Sequence, residues 1–149
     1  MINIKKVLFP TDFSENSNYA FDYALDLAQK LGARLYILHV IHGLIDTTGF
    51  YIPNISLDEL QKDLEKGAEK MMEKFCKDRM GDFKEYECIN IIGLPHIEIL
   101  SVAKEKGIDM IVMGTHGRTG IDRVLFGSTA EKVVKKAPCP VLTVRHPQK

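Results

Sequence analysis

Apolar positions along this chain follow two alternating patterns. Short apolar runs recur at residues 4–9, 35–40, 108–113 and 141–145, and a more polar one spans 83–92. Each has the length of a strand, and near-continuous apolarity suits a strand buried on both faces of a parallel sheet. Between these runs lie longer segments whose apolar residues return every three or four positions, the period of a helix. Ala20, Ala24, Leu27, Ala28 and Leu31 form one stripe, which Gly32 is placed to end. Leu60, Leu64, Ala68, Met71, Met72 and Phe75 form a second, opened by Ser56 or Asp58, and at that spacing both methionines are expected in the core. Ile99, Leu100 and Ala103 mark a third, with Pro95 in its first turn and Gly107 behind it. A last helix is expected over residues 128–136, stopped by Pro138 and Pro140.

Strands alternating with single helical crossovers predict a three-layer α/β fold: an open, Rossmann-like sheet of five mostly parallel strands. Residues 1–149 read as a single domain, with no internal repeat or linker. The mixed polarity of residues 83–92 suits a sheet edge. Residues 42–56 contain Gly43, Gly49 and Pro53 and keep no stable period, so they form either a functional flap or an insertion.

Charge narrows the partners. Lys plus Arg equals Asp plus Glu at 20 each, which gives no reason to expect nucleic acid. No apolar run approaches a membrane span. Lys5-Lys6 precede an apolar run that Pro10 ends too soon for a signal peptide. Cys76, Cys88 and Cys139 form no CxxC pair and no metal-like spacing with histidine, so three buried, reduced thiols in a cytoplasmic protein are expected.

The chemistry concentrates in two loops. Met113-Gly114-Thr115-His116-Gly117-Arg118-Thr119-Gly120 follows the fourth strand, and Gly127-Ser128-Thr129 opens the last helix. Glycines let backbone N–H groups approach a ligand and a helix start offers unpaired donors, a combination that suits an anion. Ligands of open α/β sheets bind beyond the C-terminal strand ends where strand order switches. If the first and fourth strands are neighbours, Asp12, Val40 and the glycine loop meet there. Asp12 then either accepts from ribose hydroxyls or caps the helix that follows it. A Walker A loop is excluded because no Gly-Lys-Ser/Thr occurs, and the dinucleotide fingerprint because the first loop, Pro10-Thr11-Asp12, has no glycine.

A third pattern fits. Gly114-x-x-Gly117 with Gly127-Ser128 further on resembles the ATP-binding signature of the universal stress protein family. Val7-Leu8-Phe9-Pro10-Thr11-Asp12-Phe13-Ser14 resembles that family's opening strand and aspartate loop, and Ala137-Pro138-Cys139-Pro140-Val141-Leu142-Thr143-Val144 its closing strand. The resemblance is weakest between His42 and Phe83. It implies strand order 3-2-1-4-5, of the adenine nucleotide alpha hydrolase-like kind. It also implies binding of ATP, with ADP or AMP as alternatives, and of Mg2+ or Mn2+ held mainly by the phosphates. Asp12 would then contact the ribose, with Pro10 and Thr11 beside it in the binding site, and Val40 would meet adenine through its backbone. Met113 and Gly114 would line the nucleoside, and His116, Gly117, Arg118, Gly127, Ser128, Thr129 and Ala130 would surround the phosphates. Ala130 departs from the pattern, since a hydroxyl there would add a phosphate donor.

The resemblance further implies a homodimer through antiparallel pairing of Val141-Leu142-Thr143-Val144-Arg145, a late apolar strand whose uncovered edge invites pairing. Asp12 is the one strong acidic candidate, and no Ser-His-Asp or Cys-His arrangement is readable. The expected activity is therefore nucleotide binding with at most slow hydrolysis, in a stress-response or signalling module with unknown protein partners. The alternatives are a dimeric interaction module without nucleotide, or a weak metal-dependent ATPase. His39 is expected as a satisfied core or rim histidine and His96 as a helix cap, while His42 and His146 have no evident role.

Overall fold

Lys6–Pro10 (β1) carries Val7, Leu8 and Phe9 with no exposed surface, and the rest of the computed structural model is layered around it. The structure describes residues 1–43, 57–117 and 125–147. Most of the stretch expected as flap or insertion, and Arg118, lie outside the described residues. After β1 come α1 (Glu15–Leu31), β2 (Arg34–Ile41), α2 (Leu57–Arg79), β3 (Tyr86–Ile92) and α3 (Pro95–Lys106). β4 (Met110–Gly114), α4 (Ser128–Lys136) and β5 (Val141–Val144) complete the order. The five strands are all parallel, in the order β3-β2-β1-β4-β5, as the sequence pattern and the resemblance led us to expect.

Side chains alternate across a strand, so β1 feeds two cores. Val7 and Phe9 point into a cluster with Phe21 and Ala24 of α1 and Met72 and Phe75 of α2. Leu8 points the other way, toward Ile99 and Val102 of α3 and Val133 of α4. Each fully buried side chain of this size contributes about 1.5–3 kcal/mol, so β1 is held from both faces. Phe75 is the hub of the first core. Its ring meets Phe21 edge-on at 4.8 Å, Phe13 at 5.7 Å and stacks with Phe9 at 6.4 Å, and the Arg79 guanidinium lies 5.6 Å from its centroid.

The helix ends follow from local sequence. Ser14 caps α1 by accepting from the Ser17 N–H at 3.2 Å, and Gly32 and Gly107 close α1 and α3 in the left-handed conformation. Pro95 sits in the first turn of α3, as expected, but Leu94 is its cap residue and no side chain caps it. His96 therefore does not cap; burial and the nearby Lys132 and Lys136 of α4 hold its imidazole below the usual histidine range. At the N-terminal end of the sheet the Asp109 carboxylate accepts from the Lys5 and Lys6 N–H groups, both at 2.9 Å, tying β1 to the turn before β4.

Other expectations need correcting. Met72 is buried but Met71, one residue before it on the helix, is 43% exposed. The thiols are not uniformly buried: Cys76 is, Cys139 is half-buried and Cys88 is exposed. Among the described residues no helix is long and apolar enough to cross a membrane.

Candidate functional site

β1 continues into α1 on one face of the sheet, whereas β4 leads to α4 on the other. The two strands are neighbours, with Val7 opposite Met110 and Leu8 opposite Ile111. Their connections diverge, which leaves a crevice beyond their C-terminal ends. A cavity of about 630 Å³ occupies this position, within the range of small-molecule sites, roughly 300–1,000 Å³.

The residues singled out from sequence converge on it from four segments. Pro10, Thr11 and Asp12 come from the end of β1 and Val40 from β2. Met113, Gly114, His116 and Gly117 come from the end of β4, and Gly127, Ser128, Thr129 and Ala130 from the start of α4. Arg118 lies outside the described residues.

The β1–α1 loop is built around internal bonds. Thr11 is buried, and its hydroxyl oxygen accepts from the Ser17 hydroxyl at 2.7 Å and the Phe13 N–H at 3.0 Å, so this side chain shapes the loop. Phe13 adopts φ +60°, a conformation that costs a non-glycine residue roughly 1–2 kcal/mol. Its ring offsets that cost by packing 4.6 Å from His39 and against Phe75. His39 Nδ1 in turn donates to the Thr11 carbonyl at 2.9 Å, which makes it a satisfied rim histidine that also lines the cavity. Between these anchors, Asp12 accepts from the Ser14 N–H through Oδ1 at 3.0 Å. Ser14, not Asp12, caps the helix, and the Asp12 carboxylate is turned along the cavity wall.

Gly117 and Gly127 line the cavity and also allow close packing within the protein. A Cβ on Gly117 would lie 2.6 Å from Asp12 Oδ2, and one on Gly127 would lie 3.3 Å from the Thr115 carbonyl oxygen. Both glycines thus let the loop close on the protein itself. The Gly127 N–H is also spent internally, donating to the Thr115 carbonyl at 2.7 Å. The donors that face the cavity come one residue later. Gly127 is the cap residue of α4, no side chain caps it, and the first intrahelical bond runs from the Glu131 N–H to the Gly127 carbonyl. The N–H groups of Ser128, Thr129 and Ala130 therefore have no acceptor within the helix, at its positive end. Ala130 is 3% exposed and packs into the α3–α4 core, so its side chain serves the fold and its backbone N–H serves the cavity. His116 Nδ1 lies 2.8 Å from the Thr115 hydroxyl, which fixes the ring beside this donor set.

One wall was missed from sequence. Asp63, Leu64, Gly67, Ala68 and Met71 of α2 line the cavity opposite β4. Leu64 is 41% exposed, so this wall is an open apolar face. The signal was present as width: apolar residues of α2 occupy two adjacent stripes, and only Ala68, Met72, Phe75 and Cys76 are buried. Asp63 also adds a second carboxylate to Asp12, which the sequence reading held to be the sole strong acid. No Lys or Arg is among the described lining residues, and no group of three or more His, Cys, Asp or Glu among the described residues could hold a metal ion.

A carboxylate and an uncapped helix start thus share one cavity at the switch point of an open parallel sheet, the place where α/β folds of this kind bind ligands. The chain belongs to the universal stress protein family, whose sequence model matches residues 3–145. Universal stress protein MJ0577 of Methanocaldococcus jannaschii is 32% identical over 95% of this chain and 94% of its own length. Its solved structure superposes with a TM-score of 0.83 at 31% identity, covering 99% of this chain and 100% of that one. Universal stress protein YxiE of Bacillus subtilis is 36% identical over 94% of this chain and 98% of its own. A more distant structure, the universal stress protein of Archaeoglobus fulgidus in complex with dAMP, shares the fold with a TM-score of 0.66 at 21% identity, covering 96% and 98%.

Proposed function

We propose that the cavity binds an adenine nucleotide, ATP above all, with ADP or AMP as alternatives. The protein would then act as a single-domain, cytoplasmic, homodimeric stress-response or signalling module with at most slow hydrolysis. One observation carries this reading: a single cavity joins the uncapped N–H groups of Ser128, Thr129 and Ala130 to the Asp12 carboxylate. The first set suits phosphate oxygens and the second suits ribose hydroxyls. Val40 and Met113, with Leu64 and Met71 across the cleft, supply an apolar slot for the base. The dAMP complex of the Archaeoglobus protein supports the ligand class, since the same fold there holds an adenine nucleotide. A divalent ion, Mg2+ or Mn2+, would rest mainly on the phosphates and would screen their charge. Slow turnover follows from the side chains, because His39 and His116 are turned to Thr11 and Thr115 and Asp12 is tied to Ser14.

Protein purified without added nucleotide, denatured and analysed by mass spectrometry of the supernatant is expected to release adenine nucleotide close to one per chain. A nucleotide-free preparation that also shows no heat on titration with millimolar MgATP would refute the proposal.

The dimer rests on β5. It forms one edge of the sheet, its outer backbone edge has no strand neighbour among the described residues, and Leu142 is 36% exposed on it. Val144 is buried in the core, so the informative substitution is Leu142→Lys. We expect this variant to sediment as a monomer with an unchanged circular dichroism spectrum; a sedimentation coefficient equal to that of the parent rules out pairing through β5.

A further inference from the structure

Cys76 and Cys88 share no short motif, yet the fold brings their sulfurs to 3.0 Å. Cys76 lies near the end of α2, 8% exposed, packed in the core that holds Phe75 and Met80. Cys88 is solvent-exposed on β3, an edge strand. The gap exceeds the covalent S–S length of about 2.05 Å by only about 1 Å, within reach of a small side-chain rotation. Neither residue is among the described residues lining the cavity, so the pair stands apart from the nucleotide reading. An exposed sulfur backed by a buried one is the arrangement of an attacking and a resolving thiol.

We propose that Cys76 and Cys88 form a reversible disulfide when a hydroperoxide reaches the β3 edge, with Cys88 as the attacking thiol and Cys76 as the resolving one. The roles follow from exposure. Cys88 is the exposed sulfur that a solvent peroxide meets first and Cys76 lies buried 3.0 Å behind it; the contact with Cys76 also lowers the Cys88 pKa against the opposing effects of burial and the Glu87 carboxylate. Cys76 is pushed up, first by that same contact and then by burial. The Cys88 thiolate attacks one peroxide oxygen, the O–O bond breaks, and Cys88 becomes a sulfenic acid while hydroxide leaves and takes up a proton. The Cys76 sulfur then attacks the Cys88 sulfur; the S–O bond breaks, and the departing hydroxide takes the Cys76 proton as water. In sum, two thiols and hydrogen peroxide give one disulfide and two waters. The sulfurs lose two electrons and the peroxide gains them, and a dithiol reductant reverses the change by exchange. The new bond fastens the C-terminal end of α2 to the sheet edge. Cys139 belongs to the opposite core and serves as an internal control.

The test uses the full-length reduced protein, treated with a small excess of hydrogen peroxide, alkylated and digested without reduction. Lys77, Arg79 and Lys84 lie between the two cysteines, so trypsin separates their peptides. The expected product is a linked peptide pair, two hydrogens lighter than its parts, with Cys139 still alkylated and both partners restored by dithiothreitol. In Cys76→Ala, dimedone should trap Cys88 as its sulfenic acid, and no linked pair should form. Oxidation should also raise the Tm of the parent on the order of 5–10 °C and leave Cys88→Ser unmoved. The exposed position of Cys88 keeps this second measurement available if Cys76→Ala does not fold. The proposal is overturned if Cys88 proceeds to sulfinic acid beside a free Cys76, if only intermolecular disulfides form, or if Cys88→Ser shows the same Tm shift.

Discussion

Gly117→Val is expected to weaken ATP binding by about 100-fold or more while leaving the fold in place. Its Cβ alone would sit 2.6 Å from Asp12 Oδ2, so the Asp12 side chain or the loop must shift. Either the carboxylate swings away from the cavity or the loop retracts from it. The first outcome removes the acceptor for ribose hydroxyls and the second shifts His116 and the loop that abuts the start of α4. Two lost hydrogen bonds to charged groups, at about 1.5–3 kcal/mol each, account for an effect of this size. Calorimetric titration with MgATP measures it, and circular dichroism checks the fold. An affinity within a few-fold of the parent would remove Gly117 and Asp12 from the ligand site. Asp12→Ala alone and combined with Gly117→Val separates the two outcomes: a double variant that binds as Asp12→Ala does leaves the loop in place, whereas one that binds more weakly still has a retracted loop.

Phe75→Ala should produce the largest loss of stability, about 3–5 kcal/mol. Phe75 is buried, contacts the rings of Phe9, Phe13 and Phe21, and is covered by Arg79. Truncation leaves a void between α2 and the sheet that neighbouring aromatic rings fill poorly, and it strips the strained Phe13 of one of its supports. For a chain of this length the loss corresponds to a fall in Tm on the order of 10 °C. Urea denaturation followed by far-ultraviolet circular dichroism gives the number. A loss below about 1 kcal/mol would mean that α2 is not held to the sheet through this ring.

Sequence carried the fold well because its signals were local or repeated. β1, β2 and β4 are apolar on both faces, and only central parallel strands need that. The edge position of β3 showed in its polarity, though its start did not. The Phe83 N–H donates to the Met80 carbonyl, a turn that delays the strand to Tyr86 and leaves an aromatic residue outside it. The site was legible where glycine and hydroxyl residues cluster at strand ends. The α2 wall was not, since Met71 and Met72 are adjacent in sequence and both suit a helical stripe. Which one faces the core depends on the roll of α2 over the sheet, and no local rule sets that. The internal role of Gly117 was equally hidden, because its neighbour Asp12 lies at the other end of the chain. The Cys76–Cys88 pair leaves no short motif for the same reason: a helix end and a sheet edge meet only once the sheet is assembled.

The placement of β1 between β2 and β4 also bears on the order of assembly. Lys6 finds Arg34 early in synthesis, whereas Val7 must wait for Met110, most of the chain later. Domains emerge N-terminal end first, so β1, α1 and β2 can pair while one edge of β1 is still open. Such long-range parallel pairing is slow to form. The β1–β4 seam therefore closes late, before only β5 is added, and the cavity lies on that seam. Any ligand of the cavity recognises only a nearly finished molecule, and its binding energy adds to the late step that locks the C-terminal third onto the rest. A ligand present while the chain is being made would then stabilise it at the step that completes the cavity.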